Sequence, residues 1–302
     1  MLKTAEIMKN ACKSKVVIPA FNVPYLPMVE PIVKAVVDQD AFALVATARP
    51  EWFKFEAKGP VEVYQEFVKW ENPAYVRIHL DHVPVIDEDG EQVDYVATIR
   101  KALETGYPSV MVDASRLDLE GNIASTYEIT ELAHSFGAAC EAELGAVMGH
   151  EAGPLPPYEE IFASGKGFTD VDECIRFVKE SHCDWLSVAV GSIHGAISGA
   201  AKDAKKVEAR LNIAHLKKLK EAAGNIPLVL HGGSGVKREY VLEGIQNGIC
   251  KINIGAEIRQ AYEQALRSTN DVSAAQQAVY ERTVWVIKDY FEISGKRRLV
   301  NP

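Results

Sequence analysis

A chain of 302 residues is long for one ordinary domain but normal for an α/β barrel, and 47% apolar with 25% charged residues supplies a full core under an ordinary polar surface. A net charge of −9 excludes a general nucleic-acid binder, which needs a basic footprint for the phosphate backbone, while leaving room for local cations that hold a small anion. Five scattered cysteines, odd in number and without a C-x-x-C pair, exclude a disulfide framework and point to reduced thiols in the cytoplasm.

The first residues contain no apolar run fit for a signal peptide or a membrane span, so no membrane partner is expected; Leu2, Ile7, Met8 and Ala11 are spaced along one face of a short amphipathic helix. Short β-branched or apolar runs then recur at 16–23, 42–47, 76–82, 109–115, 139–145, 185–192, 228–234 and 251–257. Segments with helical apolar spacing lie between them, such as VDYVATIRKALETG, DVDECIRFVKESH, NIAHLKKLKEAAG and REYVLEGIQNG. Gly106, Gly224 and Gly248 close three of these as helix C-terminal signals.

Eight near-continuous apolar strands alternating with helices predict a closed parallel (β/α)8 TIM barrel. An open doubly wound sheet is the competing architecture, but no G-x-G-x-x-G follows the first strand, so nothing supports dinucleotide binding. No linker divides the chain. Residues 1–302 read as a single barrel domain, with 270–302 as a C-terminal helical extension that packs on the barrel or on a second subunit. The connections at 145–170 and 191–211 are long enough to be lids or binding loops on the C-terminal face, where such barrels keep their active sites.

The strand ends are chemically rich. Asn22, Asp81, His82, Asp113, Ser115, Glu141, Glu143, Ser192, His194, His231, Ser234 and Asn253 all fall there. One histidine near a rim is more simply a packed, hydrogen-bonded residue. His82, His194 and His231 end strands 3, 6 and 7 and converge on one mouth, and three imidazoles with an open fourth position make a catalytic rather than a structural zinc site. His79 shares a strand face with Asp81 and reads as its partner, whereas His134, His182 and His215 fall in helical segments as surface or packing residues. His150, beside Glu151, is left open. LHGGSG and KINIG follow strands 7 and 8, where barrels of this type often bind phosphate; consecutive glycines admit an anion to backbone N–H groups.

In this order, HLDH, SVMVDAS, EAELGAVMGHE, VAVGSIHG and LVLHGGSGV, spread over most of the chain, resemble the class II (zinc-dependent) ketose-bisphosphate aldolases. The resemblance implies His82, His194 and His231 as zinc ligands, with Asp113 and Glu143 as an alternative metal position. It implies Asp81 as the acid/base for the hydroxyl proton and Glu151 as the residue exchanging the carbon-bound proton. Gly195, Gly232, Gly233 and Ser234 are the implied phosphate cradle, with a monovalent cation (Na+ or K+) nearby, and Asn253 the implied contact to substrate hydroxyls. The implied reaction is cleavage of a ketose (bis)phosphate to dihydroxyacetone phosphate and an aldehyde, by a homodimer or homotetramer. A metal also answers the chemical need for an electron sink, because no strand end offers a Schiff-base lysine; Lys251 begins its strand, at what reads as the wrong end.

The departures cluster at the substrate's ends. Ala256 replaces a hydroxyl residue usual in the family, VPYLP replaces an Asn-rich turn, ATARPEWFKFEAKG replaces a Ser/Thr/Gly-rich one, and the DPR segment whose Arg reads the distal phosphate is absent. Asn22, Arg49 and Arg116 are the candidates for a changed aldehyde end, with the arginines also readable as plain surface residues. An aldolase for a non-bisphosphate ketose, a metal-independent lyase or isomerase using Asp81 and Glu151, a non-catalytic sugar-phosphate binder and a partner subunit to a catalytic aldolase are the competing functions.

Overall fold

Eight parallel strands close into a barrel in strict sequence order, β1 (Ile18–Asn22), β2 (Ala43–Ala48), β3 (Val76–Pro84), β4 (Ser109–Asp113), β5 (Ala139–Leu144), β6 (Trp185–Val188), β7 (Leu228–Leu230) and β8 (Ile249–Ile254), with β8 paired back to β1. The computed structural model describes residues 1–147, 157–193, 208–233 and 235–302. Each expected strand is present, one for one. Most strand positions are buried on both faces, one against the lumen and one against helices, which is why the strands read as apolar runs rather than alternating ones.

Thirteen helices are present among the described residues. α1 (Thr4–Ser14) precedes the barrel, and α2 (Val29–Asp38), α5 (Tyr95–Thr105), α6 (Leu119–Ser135), α8 (Val171–Ser181), α9 (Ile213–Ala223), α10 (Arg238–Gln246) and α11 (Ala256–Thr269) join or follow strands. Local chemistry sets their limits. Asp94, Asp118, Asp170 and Asn212 cap N-termini by accepting backbone N–H bonds, while Gly106 and Gly224 end α5 and α9. Short helices α3 (Arg49–Phe53), α7 (Tyr158–Ser164) and α13 (Arg297–Val300) are supplementary, and α4 (Pro60–Trp70) completes the β2–β3 crossover. The segment expected as a C-terminal helix is α12 (Val272–Trp285), continued by a π-helical turn at Val286–Tyr290; α12 lies against α2 and α11. No helix among the described residues is long and apolar enough to cross a membrane.

β3 carries an irregularity that matters for the site. Leu80 pairs with Val110 of β4, and the next pairing is Val83 with Val112, so two residues of β3 oppose one of β4. Those two residues are Asp81 and His82, and His82 sits at φ +36°, a conformation that a β-substituted residue adopts only under constraint.

Candidate active site

On a regular strand, Asp81 and His82 would point to opposite faces. The bulge and the left-handed backbone at His82 turn both consecutive side chains toward the barrel mouth. His231, the first residue past β7, approaches from across the barrel: its Nδ1 lies 2.5 Å from Nε2 of His82, with the rings nearly perpendicular at 89°.

Each ring is held from behind by a carboxylate. Nδ1 of His82 is 3.4 Å from Oδ2 of Asp113, and Nε2 of His231 bonds Oε1 of Glu141 at 2.8 Å. The nitrogens left facing one another are those a metal would take, in the tautomers that such backing fixes. Glu143 presents a buried Oε2 without a hydrogen-bond partner 4.0 Å from Nε2 of His82. Asp81, His82 and His231 group their donor atoms closely, as do His82, Asp113 and Glu143. The donor set fits a divalent cation: imidazole nitrogens and carboxylates in two groups that share His82, with Oδ1 of Asp81 and Oε2 of Glu143 both buried without a hydrogen-bond partner.

The electrostatics agree. Burial works against a charged His82, yet the Asp113 hydrogen bond and the charges of Asp81, Glu143 and Asp113 lift it to about 10. Burial, then the charge of His82, pushes His231 down to about 4. Glu143 is pushed up to about 8 by burial and by Asp113. Asp113 is drawn down to about 2, against burial, by its bonds with His82 and Ser115. The carboxylates of Asp81, Asp113 and Glu143 thus favour a positive charge at His82, the place a cation would take.

Asp81 sits at the centre. Its Oδ2 accepts from Nδ2 of Asn22 and Nδ2 of Asn253, both at 2.9 Å, and its Oδ1 is 3.7 Å from Nζ of Lys251. Burial opposes ionisation, but Lys251 and the histidines 82, 231 and 79 hold its carboxyl well below the ordinary range. Asp81 is therefore held ionised, in the form that can accept a proton.

A second tier lies two residues deeper in the strands. Lys251 was read as sitting at the wrong end of its strand, and the structure corrects this. It is the third residue of β8, its side chain is fully buried in the lumen, and Nζ donates to both oxygens of Glu141 at 2.9 and 2.7 Å. Glu141 also accepts from Trp185 Nε1 and lies 3.3 Å from Nε2 of His79, whose Nδ1 meets Ser109 Oγ at 3.0 Å. Burial would raise the Glu141 carboxyl, but Lys251, His231 and His79 hold it well below the usual range. Lys251 is not among the expected site residues, and Glu141 is named at a strand end without a role. Strand alternation contains the signal: Glu141 is two before Glu143, and Lys251 two before Asn253, so each pair shares the lumen face.

Of the expected residues, Asn22, Asp81, His82, Asp113, Glu143, His231 and Asn253 come together. Gly232, with φ +66°, and Gly233 follow His231 at the same rim. Arg49 pairs instead with Asp87 at 3.0 Å and stacks on Phe53, and Arg116 is exposed on the turn after β4. Glu151, His194, Gly195, Ser234 and the open case His150 lie outside the described residues, as do 148–156 of the first long loop and 194–207 of the second.

A family model for class II fructose-bisphosphate aldolase matches residues 2–297. The chain belongs to that family. It is accordingly an enzyme of the carbon–carbon lyase class. The chain is 30% identical over 275 residues to the 6-phospho-5-dehydro-2-deoxy-D-gluconate aldolase of Halalkalibacterium halodurans, covering 90% of this chain and 86% of that protein. It is 29% identical over 269 residues to a fructose-bisphosphate aldolase of Geobacillus stearothermophilus, covering 88% and 85%. Among solved structures, the YdjI aldolase of Escherichia coli K12 superposes with a TM-score of 0.76 at 27% identity, over 98% of this chain and 100% of that one. The fructose-bisphosphate aldolase of Campylobacter jejuni, at 15% identity and a TM-score of 0.71 over 95% and 94%, shares the fold. The barrel of this aldolase is thus shown by geometry and kinship alike, and its lyase class by kinship.

Proposed function

We propose that this aldolase is zinc-dependent and reversibly cleaves a ketose phosphate to dihydroxyacetone phosphate and an aldehyde that differs from the usual one. The observation that carries the reading is the convergence of Nε2 of His82 and Nδ1 of His231 beside the ionised Asp81. His82, His231 and His194 would hold the zinc, with Asp113 and Glu143 offering an alternative position. When bound, zinc supplies a Lewis acid for the negative charge that develops on the donor fragment's oxygens.

The chain's own residues move the protons. Asp81, fixed by two amide donors, takes the proton from the hydroxyl on the carbon that becomes the aldehyde. The carbon–carbon bond then breaks with its electron pair passing to the donor fragment, and Glu151 returns a proton to the donor carbon, completing dihydroxyacetone phosphate. Gly195, Gly232, Gly233 and Ser234 cradle the donor phosphate, with a sodium or potassium ion beside it, and Asn253 orients the hydroxyls. Relatives of similar identity carry names for different phosphorylated substrates, one of them a sugar acid, which supports a family in which the aldehyde end varies. We place the enzyme in the cytoplasm as a homodimer or homotetramer, in keeping with its reduced thiols and family.

Chelator-treated protein should release no dihydroxyacetone phosphate from fructose bisphosphate, tagatose bisphosphate or other ketose phosphates, and added zinc should restore release. Full activity after metal removal would overturn the zinc reading.

A further inference from the structure

The turn after β2 places a carboxyl next to Asp81 that the reaction scheme above does not use. Ala48, the last residue of β2, lies opposite Asp81 in the β2–β3 register. Three residues on, in α3, Glu51 folds back so that its Oε2 accepts the Ala48 backbone N–H at 2.7 Å. Its half-buried carboxyl therefore stands at the rim among the side chains of Asn22 and Thr47, and feels the charge of Asp81. Asn22 bridges the two, since its Nδ2 also donates to Asp81.

This placement is rigid. Trp52 Nε1 bonds Thr47 Oγ1 at 2.9 Å, Arg49 pairs with Asp87, and Lys54 pairs with Glu88 at 2.5 Å, so the residues flanking Glu51 fasten α3 both to β2 and to the loop after β3. Those pairs also engage the two cations nearest Glu51 in sequence with carboxylates. The rim beside Asp81 on the β1–β3 side, away from the glycines after β7, therefore presents a carboxyl where a reader of phosphate would present a cation. Burial lifts Glu51 to about 8, against its bonds to Ala48, Asn22 and Thr47, so near neutrality it can donate as well as accept a hydrogen bond.

We propose that Glu51 is a specificity-determining residue: its carboxyl hydrogen-bonds a hydroxyl of the acceptor half of the substrate, next to the oxygen that Asp81 deprotonates, and favours an uncharged hydroxylated aldehyde over one ending in phosphate. The inference rests on the aldolase reading above. A carboxyl offers a hydroxyl a matched donor and acceptor, whereas it meets a phosphate dianion with unfavourable charge and too few donors.

The test separates the donor half-reaction from condensation in the zinc-loaded enzyme. Exchange of the carbon-bound proton of dihydroxyacetone phosphate in D2O, followed by NMR, needs no acceptor. Condensation is then measured with glyceraldehyde and with glyceraldehyde 3-phosphate as the two probes. The wild type should prefer glyceraldehyde in kcat/KM. Glu51→Gln, which keeps an oxygen for the Ala48 N–H, should leave donor exchange within about twofold while lowering kcat/KM for glyceraldehyde about tenfold, the worth of one hydrogen bond, and narrowing the preference. Glu51→Asp, which retains the acid, should keep more of the preference than Glu51→Gln. Equal loss of exchange and condensation, or unchanged condensation with both aldehydes, would overturn the proposal, as would a wild-type preference for the phosphorylated aldehyde. Absence of donor exchange in the wild type would instead remove the aldolase reading itself, and the proposal with it.

Discussion

His82 and His231 meet nitrogen to nitrogen at 2.5 Å, and a carboxylate from a different strand stands behind each ring. Asp113 and Glu141 thereby decide which nitrogen faces the site. Such backing groups typically govern metal affinity nearly as much as the ligands do, so Glu141→Gln and Asp113→Asn should each weaken zinc binding about 10–100-fold. Competition against a chelating dye measures it directly, and unchanged affinity in both variants would show that the rings are oriented by packing alone.

Asp81 is the residue whose loss should separate chemistry from assembly. Asp81→Asn preserves side-chain shape and removes the proton acceptor, so kcat should fall about 10²–10⁴-fold, the usual contribution of a positioned general base. Zinc content by elemental analysis should stay near that of the wild type. A variant that keeps most of its turnover would move the base elsewhere.

Lys251 is the surprise of the interior. Its Nζ donates to both oxygens of Glu141 and lies near Asp81, with no part of the side chain exposed. Lys251→Met leaves two buried carboxylates without their nearest cation, and should cost about 3–5 kcal/mol of stability in urea unfolding. A nucleophilic lysine needs its lone pair, whereas this nitrogen is spent as a donor. Borohydride reduction in the presence of dihydroxyacetone phosphate should therefore add no mass to Lys251; a reduced adduct there would replace the metal mechanism with a Schiff-base one.

These interior pairs mark the limit of what the residue pattern conveys. The eight apolar runs announce the barrel because both faces of each strand are buried, and the runs map one for one onto β1–β8. Polar residues at strand ends announce the mouth. Which neighbours share a face is harder: alternation would send His82 away from Asp81, and only the bulge against β4, set by tertiary pairing, brings them together. Glu141 and Lys251 belong to strands three apart in the barrel, and a pair 110 residues apart in sequence leaves no local trace. Glu51 is hidden differently, because a glutamate three residues into a turn reads first as a helix cap, and it does cap Ala48.

Gly233 makes a sharper prediction than its neighbour. A Cβ there would stand 2.3 Å from Cγ2 of Ile252 and 3.2 Å from the carbonyl oxygen of Asn253, so the loop after β7 rests directly on β8. Gly233→Ala must lift that loop and should cost about 1–3 kcal/mol through overpacking. Because the loop is the proposed phosphate cradle, KM for a phosphorylated ketose should rise more than kcat falls. A stable variant with wild-type KM would show that β8 yields and that the cradle lies elsewhere.

The last prediction concerns the face opposite the site. Cys12 on α1 is half-buried and is drawn down to about 6, first by its hydrogen bond with Cys250 and then, against burial, by Lys220. Burial raises Cys174 to about 11 and Cys183 to about 12, and lifts Cys140 as well; Cys250 is raised, first by its bond with Cys12. Because the thiolate is the reactive form, a thiol with a lowered value reacts fully above that value and loses reactivity as pH falls through it. Alkylation of Cys12 by iodoacetamide should therefore be nearly flat between pH 7 and 9 and fall below about 6, where an ordinary thiol would still be climbing toward about 8.5. Peptide mapping by mass spectrometry should find Cys12 modified before the four buried thiols. Cys250→Ala removes the largest contribution and should move the midpoint upward; a midpoint that stays put would assign the effect to Lys220 instead.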